Sequence, residues 1–570
     1  MRTLLRLFTI IIGLLYFIYG NAAQPDPRKL IDEFFSIYFY YNPTQGVLAG
    51  LHQYDFLLEN NNQESVTRKV TTYKKLLNKF KKLYPINLTN QQLADRDQII
   101  AVINSQLLEL EKIKMWKKDP DFYSSSIIAN GMFVLISRNF APLDKRLRAI
   151  IAREKQAASV LESARHNLKN PPRIYTEIAL QQIPGIIRFF EQDMPMAVKN
   201  TRDTKLLMEF QRYNQKTILE LKQYQQWLRS YLLPRSLGNF RLGTNLYHKK
   251  LVYNEMIDIP IQKLLVIGYA DLRHNQAQLK KTAKKLDPHR HTDEIMRELA
   301  HNHGSPNQLI PDLSKEVNNL VKFIRLHKIA TIPSSSTLYI KETPAFSRAL
   351  SYAGLDTPGP YEKIQDAFFN VTLPDPQWSP KKADEYMQSF DHGSVVTTAI
   401  HEAYPGHNLQ FLWTKFMPSK TRKLLYVDSN AEGWAHYCEQ MMLDMGYGKG
   451  NLKLRLAQLR DALLRDARFI VALRLHTGNM TIEQGIQFFM REAYQTRTNA
   501  ELETWRGTSD PTYLNYTLGK LSIIKLRKDY KKAQGIHFNL QKFHDAFLRQ
   551  GGAPIPLVRR AILGHEGSPL

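Results

Sequence analysis

The stretch HEAYPGHNLQ, residues 401–410, decides how this chain is read. It opens like the zinc-protease signature H-E-x-x-H, in which two histidines one helical turn apart hold a metal. Pro405 stands where the second histidine belongs, and the next histidine is His407. A straight helix turns ~100° and rises ~1.5 Å per residue, so residues six apart lie ~120° out of line and ~9 Å apart along the axis. His401 and His407 placed that way do not share an ion. Pro405, however, has no N–H to offer the carbonyl of His401, and its ring crowds that turn. Gly406 tolerates unusual dihedral angles. Pro-Gly therefore marks a bulge or kink, and a two-residue bulge would return His407 to the face of His401.

A third ligand follows downstream. Glu432, in NAEGWAHYCEQ (430–440), lies 25 residues after His407, beyond a turn-forming stretch, KFMPSKTRK (415–423). This resembles the gluzincin arrangement, in which a second helix supplies a glutamate to two histidines. Three protein ligands and one open position are the pattern of catalytic zinc. Glu402, beside His401, then points at the bound water as general base. His436 and Glu439 follow Glu432 by four and seven residues, on the same helix face. Glu432 with His436 is an alternative chelating pair. Glu439 is assigned a place behind the ligands, and His436 either packing or the same outer layer. The bland reading is a chance His-Glu dipeptide in a kinked helix.

The bulk properties limit the setting. The chain has 570 residues, 43% apolar and 11% aromatic, enough for large cores and several domains. Its start, MRTLLRLFTIIIGLLYFIYGNAA, reads as a signal peptide over residues 1–22: Arg2 and Arg6, then an apolar run from Leu7 to Tyr19, then small residues. The alternative is an uncleaved anchor, but the run is shorter than the ~20 residues that a spanning helix needs. No cysteine follows the run, so lipidation there is not expected. Cys438 is the sole cysteine, which excludes an intramolecular disulfide and a cysteine zinc site. These features fit a large exported enzyme, periplasmic or secreted. The net charge is +25. The basic residues interleave with apolar ones at helical spacing, as in TTYKKLLNKFKKLY (71–84) and LKKTAKKLDPHRH (279–291). They read as solvated helix faces, and no nucleic-acid-binding signature accompanies them.

Helical periodicity dominates. It predicts amphipathic helices over 26–42, 63–84, 89–115, 143–170, 203–232, 257–286 and 306–328. TIPSSSTLYIKETP (331–344) and DAFFNVTLPDP (366–376) read as short strands and turns. The expectation is a mainly α, multi-helical fold with a helical half over 23–330. A catalytic half over 331–570 begins with the small β insert, and the site sits in a cleft between the halves.

HEAYPGH followed by EGWAHYCE closely resembles a bacterial family catalogued as the domain of unknown function numbered 885. GTNLYHKKL (243–251), DAFFNVTLPDP, RLHTGNMTIEQGIQFF (474–489) and NYTLGKLSIIKLR (515–527) resemble further segments of that family, so the likeness spans most of the chain. The family is similar to helical gluzincin-type zinc metallopeptidases. The resemblance implies His401, His407 and Glu432 as ligands of one Zn²⁺ and Glu402 as base. The chain departs from the family pattern at His436, where an apolar residue is usual. In WRGTSDPTYLNY (505–516) only Arg506, Pro511 and Tyr516 match, while Gly507, Thr512 and Tyr513 differ.

The reading that results is a zinc-dependent peptidase cleaving short peptides by metal-activated water. A developing oxyanion needs a donor besides the metal. Tyr516 is the first candidate, with His476 and Tyr513 behind it. Arg506 either holds a substrate carboxylate or forms a structural ion pair. The segment 366–373 is expected to serve as an edge strand for an extended peptide. Two other classes stay open: a zinc hydrolase of non-peptide amides or esters, and a binding protein on the same scaffold.

Overall fold

The computed structural model describes residues 26–333, 337–343 and 353–570. The signal-peptide reading of residues 1–22 lies outside them, as do parts of the stretch 331–344. The fold is mainly α with one small sheet. Helices fill Pro27–Tyr41, Gln63–Lys81, Asn90–Leu108, Leu143–Asn167 and Thr204–Trp227, as the periodicity requires. A further one, Arg173–Arg188, was not legible in the sequence.

The elements that build the site are α1 (Gly243–Glu255), α2 (Ile261–Leu286), α3 (Pro306–Leu326), α4 (His392–Glu402), α5 (His407–Leu412), α6 (Asp428–Asp444), α7 (Leu452–Thr477), α8 (Arg497–Ser509) and α9 (Asn515–Gln534). The strands are β1 (Leu338–Glu342), β2 (Ala353–Asp356) and β3 (Ala367–Val371). β3 lies between the other two, parallel to β1 and antiparallel to β2. This corrects the expected edge strand: both sides of 367–371 are already hydrogen-bonded, so no peptide can add there.

The apolar cores do not follow chain order. Residues of α1 and α2, such as Tyr247, Leu251 and Leu264, share a core with Leu463, Phe469 and Leu518 from the C-terminal part. Leu313 and Leu320 of α3 pack with Ile400, Trp434 and Phe543. α4 is thus held between α3 and α7, and α6 lies along α9. The last pair approach very closely. A Cβ on Gly519 would lie 1.8 Å from the Ser429 carbonyl oxygen, and one on Gly433 2.4 Å from Gly519 Cα. Only glycine at these positions lets the two backbones touch.

Candidate metal centre

Helix α4 is fixed at its start by Asp391. That carboxylate caps the N–H groups of Gly393 and Ser394 and accepts from Arg460 of α7 at 2.6 Å. Thr397 adds a bond to Asp461 of α7 at 2.8 Å. The helix runs regularly to Glu402 and then widens. Tyr404 N–H reaches back five residues to Ala399, Gly406 six to Ile400, and Leu409 six to Ala403; Gln410 restores the ordinary four by bonding Gly406. The two extra residues are absorbed as the Pro-Gly pair requires. A Cβ on Gly406 would fall 1.8 Å from His401 O and 2.4 Å from Ile400 O. The Pro405 carbonyl is held by Trp434 Nε1 of α6 at 2.8 Å. As a result the rings of His401 and His407 stand 4.8 Å apart, perpendicular to each other.

Glu432 of α6 completes the cluster. Its Oε2 lies 3.4 Å from His401 Nε2 and 3.5 Å from His407 Nε2. In a tetrahedral site with metal–ligand bonds of about 2.1 Å, ligand atoms stand about 3.4 Å apart. That Oε2 is buried, with the two imidazole Nε2 atoms beside it and no hydrogen bond of good geometry among the described residues. The donor set, two imidazoles and a carboxylate, suits zinc. Burial opposes protonation of His401, yet the Glu432 and Glu439 carboxylates outweigh it and push its pKa up to about 10. Burial also opposes ionisation of Glu432, but the two imidazoles hold its carboxyl well below the usual range.

Behind the three residues lies an orienting layer. Glu439 Oε1 and His401 Nδ1 are 2.6 Å apart, a contact that fixes the ring with its Nε2 toward Glu432. Arg465 of α7 donates to the same Oε1 at 3.2 Å. Burial works against ionising Glu439, but Arg465, then His436 and His401, keep its carboxyl far below the ordinary range. His436 is fully buried and bonds Glu439 Oε2 through Nδ1 at 3.2 Å. It thus stands with Glu439 in this outer layer, while the candidate cluster is His401, His407 and Glu432. Burial pushes the His436 pKa down to about 4, against the pull of Glu439. Replacing Glu439 with Gln is expected to weaken metal affinity by about 10–100-fold. Competition with a chromogenic chelator measures this, and unchanged affinity would remove Glu439 from the site.

Glu402 is half-buried and makes no hydrogen bond among the described residues. Tyr516 opens α9 on the side of Glu432, whose charge, after burial, helps raise the phenol pKa. The guanidinium groups of Arg465, Arg468 and Arg506 lie 5.9, 5.0 and 6.0 Å from its ring centre. His476, by contrast, is not brought to the cluster. It is 1% exposed, its Nε2 bonds the Gly507 carbonyl at 2.8 Å, and its ring packs on Phe240 and Tyr247. The last turn of α7 faces the core there, so His476 is a packing residue and its assignment as an oxyanion donor is withdrawn. Tyr513 is likewise buried. Arg506 pairs with Asp510 at 3.1 Å.

Two contributions escaped the sequence reading. One is the charge content of α7: Arg460, Asp461, Arg465, Asp466 and Arg468 fall within RDALLRDAR (460–468), amid apolar residues. Charges that dense on a helix otherwise built for a core signal a buried polar network, and Arg465 is the member that reaches Glu439. The other is Glu255 at the end of α1. It accepts from Ser429 N–H at 3.2 Å and Asn515 Nδ2 at 2.8 Å, joining α6 to α9. Burial, then the Asp428 charge, pushes its pKa up to about 7.

A family model described as "Bacterial protein of unknown function (DUF885)" matches residues 43–562. The chain belongs to that family. No curated protein matches it. Two solved structures, each named a "putative lipoprotein", resemble this DUF885 member. The one from Shewanella oneidensis is 27% identical with a TM-score of 0.80, covering 94% of this chain and 100% of its own. The one from Colwellia psychrerythraea is 17% identical with a TM-score of 0.77, covering 94% and 98%, and shows a common fold. Among the described residues no helix is long and apolar enough to cross a membrane.

Proposed function

We propose that the chain is an exported, zinc-dependent hydrolase that cleaves peptide bonds. The observation that carries this reading is the cluster of His401, His407 and Glu432 with an unengaged carboxylate, Glu402, beside it. A zinc ion held by those three would supply an acidified water and polarise the scissile carbonyl. Glu402 accepts the proton of the attacking water and returns it to the leaving nitrogen. Glu439 holds the His401 ring so that its Nε2 faces Glu432. Tyr516, through its phenolic O–H, donates to the carbonyl oxygen as that oxygen becomes negative. The three arginines around it keep the local potential positive and favour that charge.

A bare metal clasp has no use for a free carboxylate next to its first ligand, so Glu402 favours an enzyme over a binding protein. The leader-like start and the similarity to structures named as lipoproteins support export to a periplasmic or secreted location. The test is digestion of a mixed peptide library, with mass spectrometry of the products and a parallel arm containing a zinc chelator. Cleavage that stops with chelation and returns with added zinc is the expected result. Cleavage indifferent to the chelator, or no cleavage by protein carrying a full equivalent of zinc, would overturn the reading.

Tyr516→Phe removes one O–H and little else. It is expected to lower kcat by about 10²-fold with metal content unchanged. Steady-state kinetics alongside elemental analysis check this, and an unaltered kcat would assign oxyanion stabilisation to another group.

A further inference from the structure

A second basic feature lies in the N-terminal helical layer, away from the residues of the metal centre. The helix Asn90–Leu108 runs into a wide turn, Glu109–Ile113, and ends at Lys114 with φ 60°. That left-handed residue reverses the chain, and Met115–Lys117 follows as a short tight helix. The reversal gathers Lys112, Lys114, Lys117 and Lys118 around one cavity of about 910 Å³, and Lys169 closes it from beyond the helix Leu143–Asn167. The start of the helix Gln63–Lys81, capped by Asn62, also borders the cavity, and its N-terminal N–H groups add positive potential.

The negative charges on the lining do not balance this. Glu64 pairs with Arg68, which leaves Glu162, 3.8 Å from His166, as the other acid on the lining against five lysines. Lys117 lies over the Trp116 ring, 4.7 Å from its centre. Lys112, Lys114, Lys118 and Lys169 have no ion-pair partner within 4 Å among the described residues. Lys118 is held below the usual lysine range by burial and by the charge of Lys114, with Glu109 offsetting part of it. Solvated lysines on a convex helix face spread apart. Here the chain reversal sets them around one cavity, and like charges so placed repel unless an anion joins them. The space exceeds what a single phosphate fills, and its concave shape suits a compact ligand better than a flat bilayer.

We propose that this cavity binds a multiply phosphorylated anion, a chain of linked phosphates held by several lysines at once. The site is independent of the hydrolytic reading.

Isothermal titration of the full chain with inorganic tripolyphosphate tests it. One ligand per chain is expected, with affinity falling steeply as salt rises. The double variant K118E/K169E is expected to lower affinity at least about tenfold. K280E/K284E, on the separate lysine row of α2, is expected to leave it unchanged. Thermal unfolding verifies the fold of each variant, and K112E/K169E, at two exposed positions, replaces K118E/K169E should that one fail to fold. Equal loss in the α2 variant would mean diffuse charge attraction and overturn the proposal. So would the absence of tripolyphosphate binding, or equally tight binding of orthophosphate. Binding to phosphatidylglycerol vesicles that depends on Lys118 and Lys169, with no tripolyphosphate binding, would assign the cavity to a membrane surface instead.

Discussion

On the proposed hydrolytic reading, Glu402→Gln is expected to retain a full complement of metal and to lose peptide hydrolysis by about 10²–10⁴-fold, the range that a positioned general base contributes. The substitution keeps the size and shape of the side chain and removes only its capacity to take a proton. Glu402 lies outside the cluster of His401, His407 and Glu432, and its carboxylate makes no hydrogen bond among the described residues, so it holds none of the three side chains in place. The measurement is kcat on a cleaved peptide beside zinc content by elemental analysis. A Gln variant with wild-type turnover would remove Glu402 from the chemistry. One that loses metal as well would make it a structural support of the site.

Gly406→Ala is expected to disrupt the cluster without replacing any of its three side chains. The added methyl carbon would stand 1.8 Å from one backbone oxygen and 2.4 Å from another, and neither can rotate away. The turn between α4 and α5 must open, and His407 moves with it. The expected cost is at least about 3 kcal/mol of stability, at the upper end of overpacking effects, together with loss of zinc. Thermal unfolding and metal analysis read the two consequences separately. A variant as stable as the parent and fully loaded with zinc would show that the turn is not what brings the histidines together.

The same dipeptide elsewhere in the chain explains why this turn was legible only in part. Pro184-Gly185 reads like Pro405-Gly406, yet the helix Arg173–Arg188 runs straight through it. Pro184 is exposed, and a Cβ on Gly185 would meet nothing within 4 Å. Solvent can satisfy the carbonyl that proline leaves free. Pro405 and Gly406 are buried, and the backbone there must find its partners by widening. Local sequence gives the capacity for a bulge, and burial decides whether it is used. The histidine spacing supplied the missing argument at 405–406, because only a bulge makes the two imidazoles neighbours. Glu432 was readable from its helix and its distance downstream. Arg465, Glu255 and the close α6–α9 contact were not, since each depends on long-range packing that no local period encodes. The long helices of 26–328 followed from their apolar spacing, except Arg173–Arg188, and shorter ones such as Gly243–Glu255 and Thr292–His301 did not; the central place of β3 depended on Ala353–Asp356, too short and mixed to read as a strand.

The most direct test of the metal centre is the zinc content of purified protein beside that of His407→Ala. The expected result is about one zinc per chain in the parent and a large loss in the variant, since two remaining ligands hold the ion weakly. Equal zinc in both, or none in the parent after incubation with zinc, would contradict a site built from His401, His407 and Glu432.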